Sequence, residues 1–208
     1  MSVAVHRDRF GRLEWRGEKD EDQPPGSLHA LVLGGGDSVW GDVAALEELI
    51  GGQWPGLVIA VNDIGCCWAR PLDHWCTLHP EKMPEWKNIR EQNGHPEGYT
   101  TWGRRARGLV DGTVQTWGGG ASGLLAVALA YRMRCRRVVL AGVPMDSRPH
   151  FMESIEHEES HGWSNAETHW QRWLKHMDRL KERTKSMSGR SRCHLGAPTI
   201  NWLEGEDE

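Results

Sequence analysis

The chain has 208 residues and a formal net charge of -4, which fits one α/β domain with a sizeable core and provides no global basic field for nucleic acid. Five cysteines without a C-x-x-C pair argue against a disulfide framework and a zinc knuckle, so reduced thiols in a cytoplasm are the expected state. The opening stretch MSVAVHRDRFGRLEWRGEKDEDQPPG carries both charge signs and no apolar run, unlike a signal peptide, and no window approaches about 18 apolar residues, so no membrane partner is expected.

Residues 1–26 read as a polar lead-in that ends in Gln23-Pro24-Pro25-Gly26. The run LHALVLGGG (28–36) is a short apolar strand stopped by three glycines, as a buried parallel strand ends at a ligand-binding turn. VWGDVAALEELIGG (39–52) has apolar residues at helical spacing and closes on two glycines, a helix with its C-cap. PGLVIAVND (55–63) is a second buried strand, so 28–63 form a β-loop-α-β unit whose right-handed crossover makes the two strands parallel. DHWCTLHP (73–80) predicts a third strand, PEKMPEWKNIREQNG a short helix or turn, and 95–117 short strands or loop. GGGASGLLAVALAYRM (118–133) is a second glycine loop opening an apolar helix, and CRRVVLAGVPMD (135–146) is the clearest strand of the second half. Over 165–182, Trp170, Trp173, Leu174, Met177 and Leu180 fall on one face and predict one long amphipathic helix. A last strand is expected before residue 203, and 204–208 form an acidic tail. Alternating β and α elements with glycines at the strand ends predict a single Rossmann-like, doubly wound, mainly parallel sheet over 27–203.

In such a sheet ligands bind beyond the carboxyl ends of the strands. Those ends carry Gly34-Gly35-Gly36-Asp37-Ser38, Asn62-Asp63, His79-Pro80 and Gly142-Val143-Pro144-Met145-Asp146. The second loop, Gly118-Gly119-Gly120-Ala121-Ser122-Gly123, lies at another helix start. Glycines let a ligand approach the backbone closely, and free N–H groups at a helix start favour phosphate or carboxylate. Tight strand-to-helix turns with no ligand account for the same glycines. Neither loop is a P-loop or a G-x-G-x-x-G, since Val39 follows Ser38 and Asp37 would repel a phosphate beside it, so a dinucleotide site is disfavoured.

The glycine turn with a small polar residue, the helix and the strand VIAVND resemble the nucleotide-binding half of bacterial CMP-sialic-acid-dependent sialyltransferases. They also resemble the motility-accessory glycosyltransferase-like domains and the archaeal hydroxymethyl-dihydropterin pyrophosphokinases. GGGASGLLAVALAYRMRCRRVVLAGVPMD is similar to the Thr/Ser-Ser-Gly helix of those families with its strand closing in Gly-Ile-Asp, and the likeness spans roughly residues 28–151. Bacteriophage-encoded members are similar in order and spacing, including His150-Phe151 after the strand and Ser-Met-Ser-Gly at 186–189. The chain departs from the sialyltransferase pattern Gly-x-Gly-Pro-Ser at Asp37, which leaves the nucleotide's identity open. The resemblance implies that Gly34, Gly36 and Ser38 border the nucleotide phosphate, with Gly35 and Gly120 in the same loops. It implies further that Asn62 contacts base or ribose and that Ser122 and Gly123 touch the donor's second half. Asp63 or Asp146 would hold Mg²⁺ if the chemistry is pyrophosphate transfer, because a hard cation takes carboxylate oxygens. A glycosyltransferase needs a base for the acceptor hydroxyl, and His150, then His79, are the candidates.

Residues 157–161 read HEESH, the zincin pattern H-E-x-x-H. The flanks FMESIE and GWSNAE give that helix little apolar face and an early stop, so a protease is disfavoured, although Glu153, His157 and His161 at i, i+4 and i+8 would share a face toward a metal. A loop or short helix that lids the cleft is the simpler expectation. Arginines at 104, 105 and 107 and at 132, 134, 136 and 137 read as solvated surface or as contacts to a phosphate-rich acceptor such as DNA. Three functions follow as expectations: a nucleotide-sugar-dependent glycosyltransferase, a Mg²⁺-dependent pyrophosphokinase-like enzyme, and a non-catalytic nucleotide- or partner-binding module in a bacterial host cytoplasm.

Overall fold

The computed structural model describes residues 6–7, 13–14, 26–105, 108–115, 121–152 and 165–206. Its strands are β1 (His6–Arg7), β2 (Leu13–Glu14), β3 (His29–Leu33), β4 (Leu57–Val61), β5 (His74–Thr77), β6 (Thr100–Gly103), β7 (Gly112–Thr113), β8 (Arg137–Ala141) and β9 (Thr184–Ser186). Its helices are α1 (Val39–Ile50), α2 (Ile64–Cys67), α3 (Met83–Gln92), α4 (Ser122–Arg132), α5 (Ala166–Leu174), α6 (Met177–Arg183), α7 (Gly189–Leu195) and α8 (Ile200–Glu204).

Among the described residues the strands form one nine-stranded sheet in the order β1-β2-β7-β6-β5-β4-β3-β8-β9. Every neighbouring pair is parallel except the short β1–β2 edge. This is the doubly wound α/β arrangement. The chain runs outward from β3 through β4, β5, β6 and β7, then returns to lay β8 on the other side of β3. Parallel strands covered on both faces read as continuous apolar runs, and β3, β4 and β8 are HALVL, LVIAV and RVVLA. Successive residues of a strand face opposite sides. Ala30, Val32, Ile59, Val61, Val138 and Leu140 meet α4, Trp170, Trp173, Met177 and Leu180. Leu31, Leu33, Val58, Ala60, Val139 and Ala141 meet Val39, Val43 and Leu46 of α1 together with Met83 and Trp86 of α3. All residues of α4 are buried, which matches its unbroken apolar run over 124–130.

Three expectations need correction. The polar lead-in contributes β1 and β2 to the sheet edge, because Leu13 pairs with Gly112 and packs on the core. The long helix over 165–182 is two helices. His176 leaves helical geometry (φ -119°, ψ 7°) and its N–H donates to the Trp173 carbonyl at 3.0 Å. The break keeps Trp173, Met177 and Leu180 all on the same core face. At the C-terminus the expected strand is β9 alone, followed by α7 and α8, and Glu204 of the expected acidic tail closes α8.

Candidate functional site

The order of strands reverses between β3 and β8, and their carboxyl ends open into a cleft of about 470 Å³. A reversal point of this kind is where open α/β sheets bind ligands. The glycines there are required by close approach. A Cβ on Gly34 would stand 2.4 Å from the Gly142 carbonyl oxygen, one on Gly36 2.6 Å from Pro144 Cδ, and one on Gly35 2.3 Å from His150 Nε2. The two strand-end loops thus touch backbone to backbone, with the Gly34 N–H donating to Ala141 and the Gly36 N–H to Gly142, both at 2.8 Å.

Gly34, Gly35, Gly36, Asn62 and Asp63 line the cleft from the β3 and β4 ends. His79 enters from the β5 end, Ser122 and Gly123 from the start of α4, and Asp146 and His150 from the segment after β8. Ser38 lies elsewhere: its hydroxyl contacts Asp42 Oδ2 at 3.1 Å and Ser188 Oγ at 2.9 Å. Gly120, and the HEESH stretch with Glu153, fall outside the described residues. Asn62 adopts φ 57°, a left-handed conformation that asparagine tolerates well. Its Oδ1 accepts from the Thr77 hydroxyl at 2.9 Å, so its amide is held against the β5 end.

Among the described residues no side chain caps the start of α4, and the backbone N–H groups of Ser122 and Gly123 donate to no described group. Orphan N–H groups and the helix dipole favour an anion there. The buried Ser122 hydroxyl accepts from the Leu78 N–H at 3.2 Å, tying this helix start to the β5 end.

Two carboxylates and one guanidinium share the cleft. Asp146 accepts from the Arg148 backbone and Nε, each at 3.2 Å, and this hydrogen bond is the main cause that raises the Arg148 pKa. Asp63 Oδ1 lies 3.2 Å from His150 Nε2. Each acid therefore already has a partner. A hard divalent cation would have to draw Asp63 from His150 and Asp146 from Arg148, and no group of three potential metal-ligating side chains occurs among the described residues. His79 is exposed, with Nδ1 3.4 Å from Glu81 Oε1. The sequence matches no known family model and no curated protein.

The structure adds residues that sequence reasoning missed. Arg148 and His169 both line the cleft, and burial, then the charge of Arg172, lowers the His169 pKa. Asp42 lies beneath it, 7% exposed in the first turn of α1. Its Oδ2 accepts from the Gly142 N–H at 2.8 Å and from the Ser188 hydroxyl at 2.6 Å. One carboxylate thereby ties α1, the loop after β8 and the Ser-Met-Ser-Gly segment together. Ser191 continues the brace, donating to the Val143 carbonyl at 2.6 Å, and Gly189 takes φ 68° against Pro144. The Ser-Met-Ser-Gly motif was the visible signal for this brace, whereas Asp42 sat inside an ordinary helical pattern.

Proposed function

We propose that the protein is a nucleotide-binding transferase of glycosyltransferase type, which takes a sugar from a nucleotide donor to an acceptor hydroxyl. The observation that carries this reading is the convergence, in one glycine-lined cleft at the strand reversal, of the uncapped α4 start and Arg148. Both favour an anionic group such as a phosphate. Of the two carboxylates there, Asp146 is offset by Arg148, and Asp63 faces His150. Val61, Leu78, Val143 and Met145 supply apolar lining for a base or sugar face, as small-molecule pockets commonly do. Gly34, Gly35, Gly36, Ser122 and Gly123 then border the donor phosphates, Asn62 faces base or ribose, and His150 or His79 takes the acceptor proton. Ser38 supports the β3 loop from below through Asp42 and Ser188. Five free thiols, three of them buried, suit a reducing compartment, and we take the enzyme to work in a cytoplasm. No described helix is long and apolar enough to cross a membrane.

A second reading, Mg²⁺-dependent pyrophosphoryl transfer, is favoured by one observation: Asp63 and Asp146 both line the cleft, and Mg²⁺ is commonly held by one or two carboxylates together with substrate phosphates. A thermal-shift panel of CMP, UDP, GDP, ADP and ATP, each with and without Mg²⁺, separates the two. A ligand that binds only the folded state at 100-fold over its Kd adds about 2.7 kcal/mol of stability. The transferase reading expects a metal-independent shift with a nucleoside mono- or diphosphate. A shift confined to triphosphate with Mg²⁺ would replace it with the second reading. No shift with any of the five would overturn both and leave a non-catalytic binding module. DNA as acceptor is tested by adding duplex to the nucleotide-bound protein.

A further inference from the structure

Asn62 is held by three consecutive residues of β5. Its backbone N–H donates to the Cys76 carbonyl at 2.9 Å, its carbonyl accepts from Trp75 Nε1, and its Oδ1 accepts from the Thr77 hydroxyl at 2.9 Å. These contacts pin a residue whose φ of 57° lies in the left-handed region. The direction of the last bond follows from the next turn of the chain. Thr77 is fully buried, and its Oγ1 accepts from the His79 N–H at 2.8 Å. The hydroxyl hydrogen then needs an acceptor of its own, because a buried donor left unpaired is costly. Asn62 Oδ1 is the acceptor it meets. A flipped amide would turn Nδ2–H toward Oγ1 and leave that hydroxyl hydrogen unpaired. The amide oxygen therefore faces Thr77, and both Nδ2 hydrogens remain for the cleft that Asn62 lines. Ser122 repeats the arrangement one residue along. It is 7% exposed and lines the cleft, and its Oγ accepts from the Leu78 N–H at 3.2 Å, which leaves its own hydrogen to donate.

We propose that Thr77 is a positioning residue, which turns the Asn62 amide so that this wall of the cleft offers donors only. The inference rests on the transferase reading and narrows what Asn62 meets there. Its partner is an acceptor oxygen of base or ribose, not an exocyclic amino group. Thr77 lies behind the lining of the cleft and acts through Asn62. The backbone N–H groups of Leu78 and His79 set the polarity of the wall, each by occupying a hydroxyl oxygen and sending that hydroxyl's hydrogen onward.

Neutron diffraction from crystals of the deuterated full chain reads the orientation directly. The expected result is a deuteron on Thr77 Oγ1 directed at Asn62 Oδ1, with both Nδ2 deuterons turned away from Thr77. An Nδ2 deuteron directed at Thr77 Oγ1 overturns the inference. A binding arm follows the Asn62 side-chain amide in ¹H–¹⁵N spectra, assigned by its loss in Asn62→Asp, with CMP, UDP, GDP, ADP and ATP as probes. At least one of the five is expected to bind and to move the wild-type Asn62 peaks. Thr77→Val keeps the shape and removes the hydroxyl. It is expected to weaken that nucleotide's binding about 10-fold, the scale of one hydrogen bond, and to abolish the shift of the Asn62 amide, while Thr77→Ser restores both. Asn62→Asp exchanges the donors for an acceptor and should lose at least as much affinity, which keeps the test open if Thr77→Val does not fold. Unchanged affinity in Asn62→Asp, or an Asn62 amide that still shifts in Thr77→Val, overturns the inference. A nucleotide that binds the wild type without moving the Asn62 amide overturns it too. If none of the five binds, the transferase reading fails while the neutron arm still decides whether Thr77 orients Asn62.

Discussion

Replacing Asp42 by alanine removes the acceptor that joins three separate parts of the chain. The Ser38 and Ser188 hydroxyls lie 2.9 Å apart and can turn to each other, so most of the cost falls on the buried Gly142 N–H, which loses its carboxylate at 2.8 Å. A hydrogen bond to a charged group contributes about 1.5–3 kcal/mol, and a buried donor left unpaired costs about 1–3 kcal/mol. With some relaxation of the two serines, Asp42→Ala is expected to destabilise the protein by roughly 3–5 kcal/mol. For a chain of this size each kcal/mol lowers Tm by about 2–4 °C, so a fall of roughly 10 °C is expected. Asp42→Asn keeps one oxygen in place and should cost about half as much. Urea unfolding followed by circular dichroism measures both variants. A change in Asp42→Ala below about 0.5 kcal/mol, the range of neutral surface substitutions, would refute the view that this carboxylate holds the two loops together.

The pH profile of stability has a definite sign. Burial lowers the pKa of His74 and is also the first cause of the lowered values at His29, His169 and His176, from an ordinary 6.5. The unfolded chain then binds more protons as pH falls below 6.5, so Tm should be steady above that value and drop beneath it. His74→Asn should flatten part of the drop, since neutral His74 accepts from Trp102 Nε1 through Nδ1 and asparagine retains an acceptor. A Tm that is flat from pH 5 to 8 would count against this. Arg90, 1% exposed, donates to the carbonyls of Gly65, Trp68, Arg70 and Pro96. Arg90→Met should cost about 3 kcal/mol or more in urea unfolding, because several buried carbonyls lose a charged donor. Iodoacetamide under native conditions should label Cys193 first, as it is exposed. Cys66 and Cys135 are pushed up to about 12 by burial and should react only on unfolding. Peptide mapping by mass spectrometry reads that order.

The sequence made the sheet legible because its central strands are fully buried and its turns are marked by glycine. HALVL, LVIAV and RVVLA could be read as strands, and α1 could be closed at Gly51, which takes the left-handed φ of 71°. The cleft was legible for the same reason, since a parallel sheet places every strand's carboxyl end on one side. What escaped were contacts between segments far apart in the chain. Asp42 looks like any acidic residue in a first helical turn, and only the fold brings Gly142 and Ser188 to it. Arg148 gave no periodic signal in a segment with Pro144 and Pro149, and His169 looked like one more polar position on an amphipathic helix. The break at His176 was missed because apolar spacing continues through it, and periodicity reports which face is buried rather than whether the backbone is continuous.

The strand reversal also bears on when the cleft can exist during folding. β3, α1 and β4 are close neighbours along the chain and can assemble as a local unit. The contacts that shape the cleft cannot, since Asp42 meets Gly142 across 100 positions and Ser188 across 146. Contacts of such long range carry the largest loop-closure cost and belong to slow, late steps. An N-terminal piece ending before β8 would bury part of the sheet yet have no opposite wall for the cleft. A ligand that needs both walls of this cleft could then engage only once β8 and the Ser-Met-Ser-Gly segment are in place, so a nascent or truncated product would lack the second wall.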